Sequence, residues 1–180
     1  MQATTAPVAE FRRATPQDAL CVGVLAIQVF LDTYATHGIR PDVARQALAN
    51  YTPESFAKRI EDPSTFFILV ERGSHLLGFA ESAIGTPAPT ESLENGMELV
   101  RLYVPRHAHR EGLGSALLAR TEALAMEKSV QCLWLTAWSG NASAIAFYAA
   151  RGYVDIGATS YVFEGNAYEN RIFKRSLVTP

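Results

Sequence analysis

The chain is short of cysteine, of charge imbalance and of long apolar runs, and each shortage closes off a class of protein. Its two cysteines among 180 residues, Cys21 and Cys132, lie far apart, one in a predicted helix and one in a predicted strand. They form no disulfide framework, and a reducing compartment fits best. Sixteen Lys and Arg face eighteen Asp and Glu, a formal charge of -2 that gives no global field to draw in nucleic acid. Any phosphate must therefore be gripped locally. No apolar run approaches the roughly eighteen residues of a membrane span, and residues 1–7 lack the basic and apolar regions of a signal peptide. The expected location is cytoplasmic, with neither a membrane nor a nucleic-acid partner. Repeats and low-complexity stretches are missing as well; the one loop-like shift in composition is residues 85–96, with Pro87 and Pro89.

What is present is an ordinary globular composition, 48% hydrophobic and 19% charged, in a length that suits a single domain over residues 1–180 with a decorated N-terminal part. Residues 8–14 read as a short first strand. Thr15-Pro16 caps a helix in which Leu20, Val24, Ile27 and Leu31 recur at helical spacing, which predicts one buried stripe running to about Tyr34. Residues 41–51 form a second helix, and Thr52-Pro53-Glu54 repeats the cap-then-proline signal before a third. Residues 65–71 and 75–84 are strands joined by the tight Arg72-Gly73-Ser74 turn, and 97–104 is a fourth strand. A helix over 112–128, a strand over 130–138 apolar on both faces, a helix over 141–151 and strands over 153–159 and 171–177 complete a layered α/β or α+β domain with a mixed sheet.

Two segments carry the chemistry. His109-Arg110-Glu111-Gly112-Leu113-Gly114 is a glycine loop feeding a helix start, where unpaired N–H groups and the helix dipole can hold phosphate oxygens. A dinucleotide fingerprint needs a third glycine where Leu117 stands, and a Walker loop needs Gly-Lys-Ser or Gly-Lys-Thr; neither is present. A plain strand-to-helix connection stays open on this loop alone. The second segment, Asn141-Ala142-Ser143-Ala144-Ile145-Ala146-Phe147-Tyr148 followed by Gly152-Tyr153, places a phenol on another helix.

Together the segments resemble the GNAT superfamily of N-acetyltransferases, most nearly the PaiA-like group related to spermidine/spermine acetyltransferases. Further matches to that group are Phe30-Leu31-Asp32-Thr33-Tyr34, Thr65-Phe66-Phe67, Trp134-Leu135 and Gly157-Ala158. The resemblance implies a mixed, mostly antiparallel sheet of about seven strands flanked by helices and splayed between strands 4 and 5, with acetyl-CoA as cosubstrate. It implies a pyrophosphate cradle from His109, Arg110, Glu111, Gly112, Leu113, Gly114 and Ser115, with His109 where the family usually has Gln or Arg and Arg110 placed to supply the charge. Leu102-Tyr103-Val104 matches the strand end that pairs its backbone with the pantetheine arm. Asn141, Phe147 and Tyr148 complete the cofactor contacts.

Amide formation from a thioester needs an unprotonated amine and a protonated leaving group. An amine of pKa about 10.4 gives up its proton near pH 7 at a cost of about 4 kcal/mol without help. On the resemblance Glu98 is the base. Tyr148 is the acid, since a phenol near pKa 10 is not already ionised at neutral pH and so has a proton to donate to a departing thiolate of pKa about 8.5. Asp32 and Tyr34, at the end of the first helix, fall where the family builds the acceptor wall, and a carboxylate there suits a cationic, polyamine-like small-molecule amine. Homodimers are common in the family. His107-x-His109 lacks a third ligand at suitable spacing, so no metal is expected. Two other readings stay open: an acyl-CoA-binding module without turnover, and acetylation of a protein or peptide.

Overall fold

The computed structural model describes residues 8–163 and 165–177; residues 1–7, where the signal-peptide reading falls, lie outside it. Seven strands, β1 (Glu10–Arg13), β2 (Thr65–Arg72), β3 (His75–Ile84), β4 (Gly96–Tyr103), β5 (Cys132–Trp138), β6 (Val154–Phe163) and β7 (Asn166–Ser176), join in the order β1-β2-β3-β4-β5-β7-β6. Five helices flank them: α1 (Ala19–Tyr34), α2 (Pro41–Asn50), α3 (Pro53–Glu61), α4 (Leu113–Glu127) and α5 (Ala142–Ala149). The β1–β2, β5–β7 and β6–β7 ladders are antiparallel. The β4–β5 pair is parallel, as the α4 crossover between them requires, and its register covers only Gly96↔Cys132, Met97↔Leu133 and Glu98↔Trp134. This is the mixed, mostly antiparallel seven-stranded sheet expected.

Contacts group the chain into two compact units. The first holds the described residues up to Glu81 together with Arg101–Leu118. Thr15 caps a 3-10 turn, Pro16–Asp18, that leads into α1 at Ala19 rather than capping α1 directly; its N–H and hydroxyl donate to Asp18 at 2.8 and 3.0 Å, and at the start of α3 the Thr52 hydroxyl accepts from Ser55 N at 3.1 Å. The core unites Val22, Leu25, Ala26 and Phe30 of α1 with Val43 and Ala47 of α2, then Tyr51, Phe56, Phe67, Leu69 and Phe79. The predicted α1 stripe is wrong by a rotation, since Leu20 and Val24 are 61% and 60% exposed. The helix is apolar nearly all round, so periodicity alone does not choose its face. Gly23 does, because a Cβ there would stand 2.9 Å from the Tyr51 carbonyl oxygen, and its absence lets α1 settle on that side.

The second unit holds Ser82–Val100 and the described residues from Ala119 on. Leu93, Cys132, Trp134 and Ile172 form one of its buried clusters. The last two strands run longer than predicted, pairing from Val154↔Lys174 to Phe163↔Asn166 with a bulge between Asp155 and Gly157. Tyr161 and Val162 are exposed there, so backbone pairing rather than a buried face holds the extension, and apolar periodicity carries no trace of it.

Candidate active site

In the first unit, β4 runs through Leu102-Tyr103 into a short 3-10 turn at Arg106–Ala108 and then the glycine loop. His109, the departure from the family pattern, has a structural role, because its Nε2 lies 2.8 Å from the Val104 carbonyl oxygen and ties the loop to the strand end. Arg110 takes a φ of +66° and Gly112 one of +79°, two left-handed residues that reverse the chain just ahead of Leu113, where α4 begins. A Cβ at Gly112 would meet nothing within 4 Å, so the backbone there borders open space. Glu111 is held by Arg72 at 2.5 Å, and Arg106 donates to the Asp32 carbonyl oxygen at 2.7 Å, which fixes the end of α1 beside the turn. The first-turn N–H groups of α4 have no carbonyl four residues back inside the helix, so this loop has the geometry of an anion cradle.

The same unit contains a charged group that the sequence reading passed over. Glu81, on β3, keeps 3% of its side chain exposed and binds two arginines, Arg101 at 2.6 Å and Arg59 at 3.4 Å. Arg101 therefore has its carboxylate partner in Glu81. Arg59 lies 4.2 Å from the centre of the Phe56 ring, and Arg101 5.5 Å from that of Tyr51. Burial lowers the Arg59 guanidinium from its ordinary value, and the attraction of Glu81, itself opposed by Arg101, only partly offsets that burial. For Arg101 burial also acts downward, but Glu81 with the nearby phenols of Tyr103 and Tyr51 outweighs it and the value is raised. Tyr103 is half-buried and packs on Phe79, with ring centres 5.5 Å apart, so its side chain joins the edge of the core. Glu81, flanked by Phe79, Ala80 and Ala83 in a strand buried almost throughout, was the signal in the sequence: a charge in such a position has to find partners.

In the second unit, Asn141 caps α5, its Oδ1 accepting from Ala144 N at 3.1 Å. Tyr148, on the next turns, is 8% exposed and packs among Phe147, Tyr153 and Phe173, with ring centres 5.2, 5.6 and 6.3 Å away. Burial raises its phenol well above the ordinary value, only slightly opposed by Arg151, so it stays protonated at neutral pH. Among the described residues no group hydrogen-bonds its hydroxyl. Phe147 is clamped by Arg151, whose guanidinium lies 3.6 Å over the ring and donates to the Phe147 carbonyl at 2.8 Å. Tyr153 donates to Glu122 at 2.9 Å, and Arg175 meets the same carboxylate at 2.8 Å, fixing the chain after α5. Glu98 is half-buried on β4, opposite Trp134 in the parallel register. No cluster of His, Cys, Asp and Glu among the described residues could hold a metal, and no described helix is long and apolar enough to cross a membrane.

The predicted residues thus divide between the units. Asp32, Tyr34, Leu102, Tyr103, Val104 and the stretch from His109 to Ser115 belong to the first, and Glu98, Asn141, Phe147 and Tyr148 to the second.

Comparison with known proteins agrees with this fold. The chain is 25% identical over 151 residues to an uncharacterized N-acetyltransferase of Lactobacillus delbrueckii subsp. lactis, covering 84% of this chain and 87% of that protein. The PaiA N-acetyltransferase of Thermoplasma acidophilum, solved in complex with coenzyme A, superimposes with a TM-score of 0.73 at 21% identity, over 94% of this chain and 99% of that one. The putative acetyltransferase yncA of Salmonella typhimurium, solved with acetyl-CoA, gives 0.66 at 18% identity over 94% of each chain. The Acetyltransferase (GNAT) family matches residues 32–153, from the end of α1 to the residue before β6, and the chain belongs to this family of acetyl-CoA-dependent N-acetyltransferases.

Proposed function

We propose that the protein transfers the acetyl group to the primary amine of a small molecule by direct attack, with donor and acceptor bound together and no covalent enzyme intermediate. The observation that carries this reading is the Tyr148 phenol: buried, neutral and without a hydrogen-bond partner among the described residues. A proton donor is kept in that state for an acceptor yet to come, here the sulfur of the leaving thiolate. Acetyl-CoA supplies the activated thioester. The loop from His109 to Ser115 fits its pyrophosphate, through the left-handed turn at Arg110 and Gly112, the open space at Gly112 and the start of α4. Leu102, Tyr103 and Val104 offer backbone to the pantetheine arm, although the Val104 carbonyl is already engaged by His109. Asn141 and Phe147 hold and shape the turn that carries Tyr148.

Glu98 is the base in this reading, half-buried on β4, where it takes the amine proton directly or through water. Cys132 does not compete as a nucleophile: it is 2% exposed, and burial pushes its thiol up. Asp32 and Tyr34, at the end of α1, are the proposed acceptor contacts, and the Asp32 carboxylate is the feature that speaks for a polyamine-like amine. A turnover screen with acetyl-CoA over polyamines, amino acids, aminoglycosides and short peptides tests the reading, together with calorimetry. Tyr148→Phe is expected to cut kcat by about 10²–10⁴-fold with little change in acetyl-CoA affinity. Tight acetyl-CoA binding without turnover on any amine would make the protein a binding module instead.

A further inference from the structure

The buried group around Glu81 has more cations than anions and more donors than acceptors. Two guanidiniums share one carboxylate, and Arg59 Nε, Arg59 Nη2 and Arg101 Nε are buried without any hydrogen-bond partner among the described residues. Polar atoms left so inside a protein are rare and costly. Which atoms they are matters. Nε and Nη2 form the side edge of a guanidinium, whose two parallel N–H bonds match the two oxygens of a carboxylate.

Among the described residues, three arginines show that edge put to that purpose. Arg12 binds Glu71 through Nε at 2.8 Å and Nη2 at 2.6 Å. Arg40 binds Asp42 through Nε at 3.1 Å and Nη2 at 2.8 Å. Arg171 binds Asp155 through Nε at 2.9 Å and Nη2 at 2.9 Å. At Arg59 the edge lies beside the Phe56 ring, the guanidinium carbon 4.2 Å from its centre, and has no carboxylate. Burial, the main cause of the lowered value of Arg59, is the cost that its unpaired edge carries.

The position is also informative. Arg101 and Glu81 both act on Tyr103, as do Tyr51 and Tyr34, and Tyr34 closes the end of α1 where the acceptor contacts are proposed. Phe30 links the same residues, with ring centres 4.9 Å from Tyr34 and 5.3 Å from Tyr51.

We propose that Arg59, oriented by Glu81 and Arg101, is the recognition site for an acid group on the acceptor, which is therefore a small amine that also bears a carboxylate, as an amino acid does. The site is cationic, so it disfavours the purely cationic acceptor for which the Asp32 carboxylate alone speaks and leaves Asp32 to the amine end of the same molecule. Access to the Arg59 edge takes a rotation of its side chain, 28% of which is exposed. The role of this site in acceptor choice rests on the amine-transfer reading; its affinity for an acid group does not.

The test uses amino acids, each matched with the amine left by removal of its carboxylate, such as L-lysine with cadaverine, and spermidine as a purely cationic comparator. Calorimetry on the full chain is expected to show at least one amino acid binding about tenfold or more tightly than its matched amine. Arg59→Gln should bring that ratio toward one, and Arg59→Lys, which keeps the charge but loses the two-pronged edge, should leave it in between. Acetyl-CoA affinity and a melting curve report whether each variant is folded; should neither fold, the wild-type ratios alone decide. Equal or weaker binding of every amino acid relative to its matched amine, tightest binding of spermidine, or a ratio unmoved by Arg59→Gln in a folded protein would overturn the proposal. Selective amino-acid binding with no acetyl transfer would sink the amine-transfer reading and leave the acid site standing. Transfer confined to amines without an acid group would do the reverse.

Discussion

The first unit holds two arginine–carboxylate groups built to opposite plans. Near the surface, one arginine lies between two carboxylates: Arg12 reaches Asp18 at 2.7 Å and Glu71 at 2.6 Å, with 41% of its side chain exposed. In the interior, one carboxylate lies between two arginines, and its own side chain is 3% exposed. An excess of one sign costs little where water and salt screen it, and much where they do not. The surface group is therefore explained by stability and by the start of a helix. The buried group is not explained by stability alone, because a hydrophobic replacement of similar volume is often as stable as a buried ion pair.

Removal of the central carboxylate is the strongest way to break this contrast. Glu81→Ala leaves two buried guanidiniums facing each other and is expected to cost about 3–5 kcal/mol in denaturant unfolding. Glu71→Ala, at the surface, should cost about 1 kcal/mol or less, because Arg12 keeps Asp18 and stays in contact with water. Similar losses for the two variants would mean that the interior group is as well screened as the exterior one.

The contrast also marks what the sequence discloses. Caps are legible because their chemistry is local: Thr15, Thr52 and Asn141 each act on a neighbour three residues away. The glycine loop was legible for the same reason, its left-handed turn at Gly112 being written in one residue type. Tyr148 was legible only through a spacing shared with a family. By contrast, Arg59, Glu81 and Arg101 come from α3, β3 and β4, and each reads alone as an ordinary charge. Their meeting is a product of tertiary structure. Likewise the face of α1 was decided by Gly23 against Tyr51, a contact between elements, and not by the apolar spacing that favoured Leu20 and Val24.

A smaller effect sharpens the surface half of the comparison. Hydrogen bonds from Arg12, helped by Thr15, hold the Asp18 carboxyl at about 2 against an ordinary 3.8. A carboxyl depressed on folding contributes stability above its unfolded value and loses it as pH falls through its folded one. The contribution of Asp18 should thus be complete above about pH 4 and fade toward about pH 2. With Arg12 this exposed, the contribution is at most about 1 kcal/mol. Asp18→Ala is expected to melt below the wild type at pH 6 and together with it near pH 2. A difference that persists in acid would assign the effect to packing rather than to charge.

The smallest expected change in stability belongs to Arg59→Met, and it separates the two plans most clearly. This variant removes the unpaired Nε and Nη2 donors and their burial cost, and it leaves Glu81 with the closer of its two partners, Arg101 at 2.6 Å. Against this stand the weaker 3.4 Å contact to Glu81 and the stacking on Phe56, part of which a methionine side chain retains. The opposing effects should leave stability within about 1 kcal/mol of wild type, by the same denaturant measurement that registers Glu81→Ala. A loss of several kcal/mol would show that Arg59 is needed to neutralise Glu81 and is a structural partner. Near-neutral stability combined with loss of discrimination between an amino acid and its matched amine would show instead that the second arginine is held in the interior for a carboxylate that the chain itself does not supply.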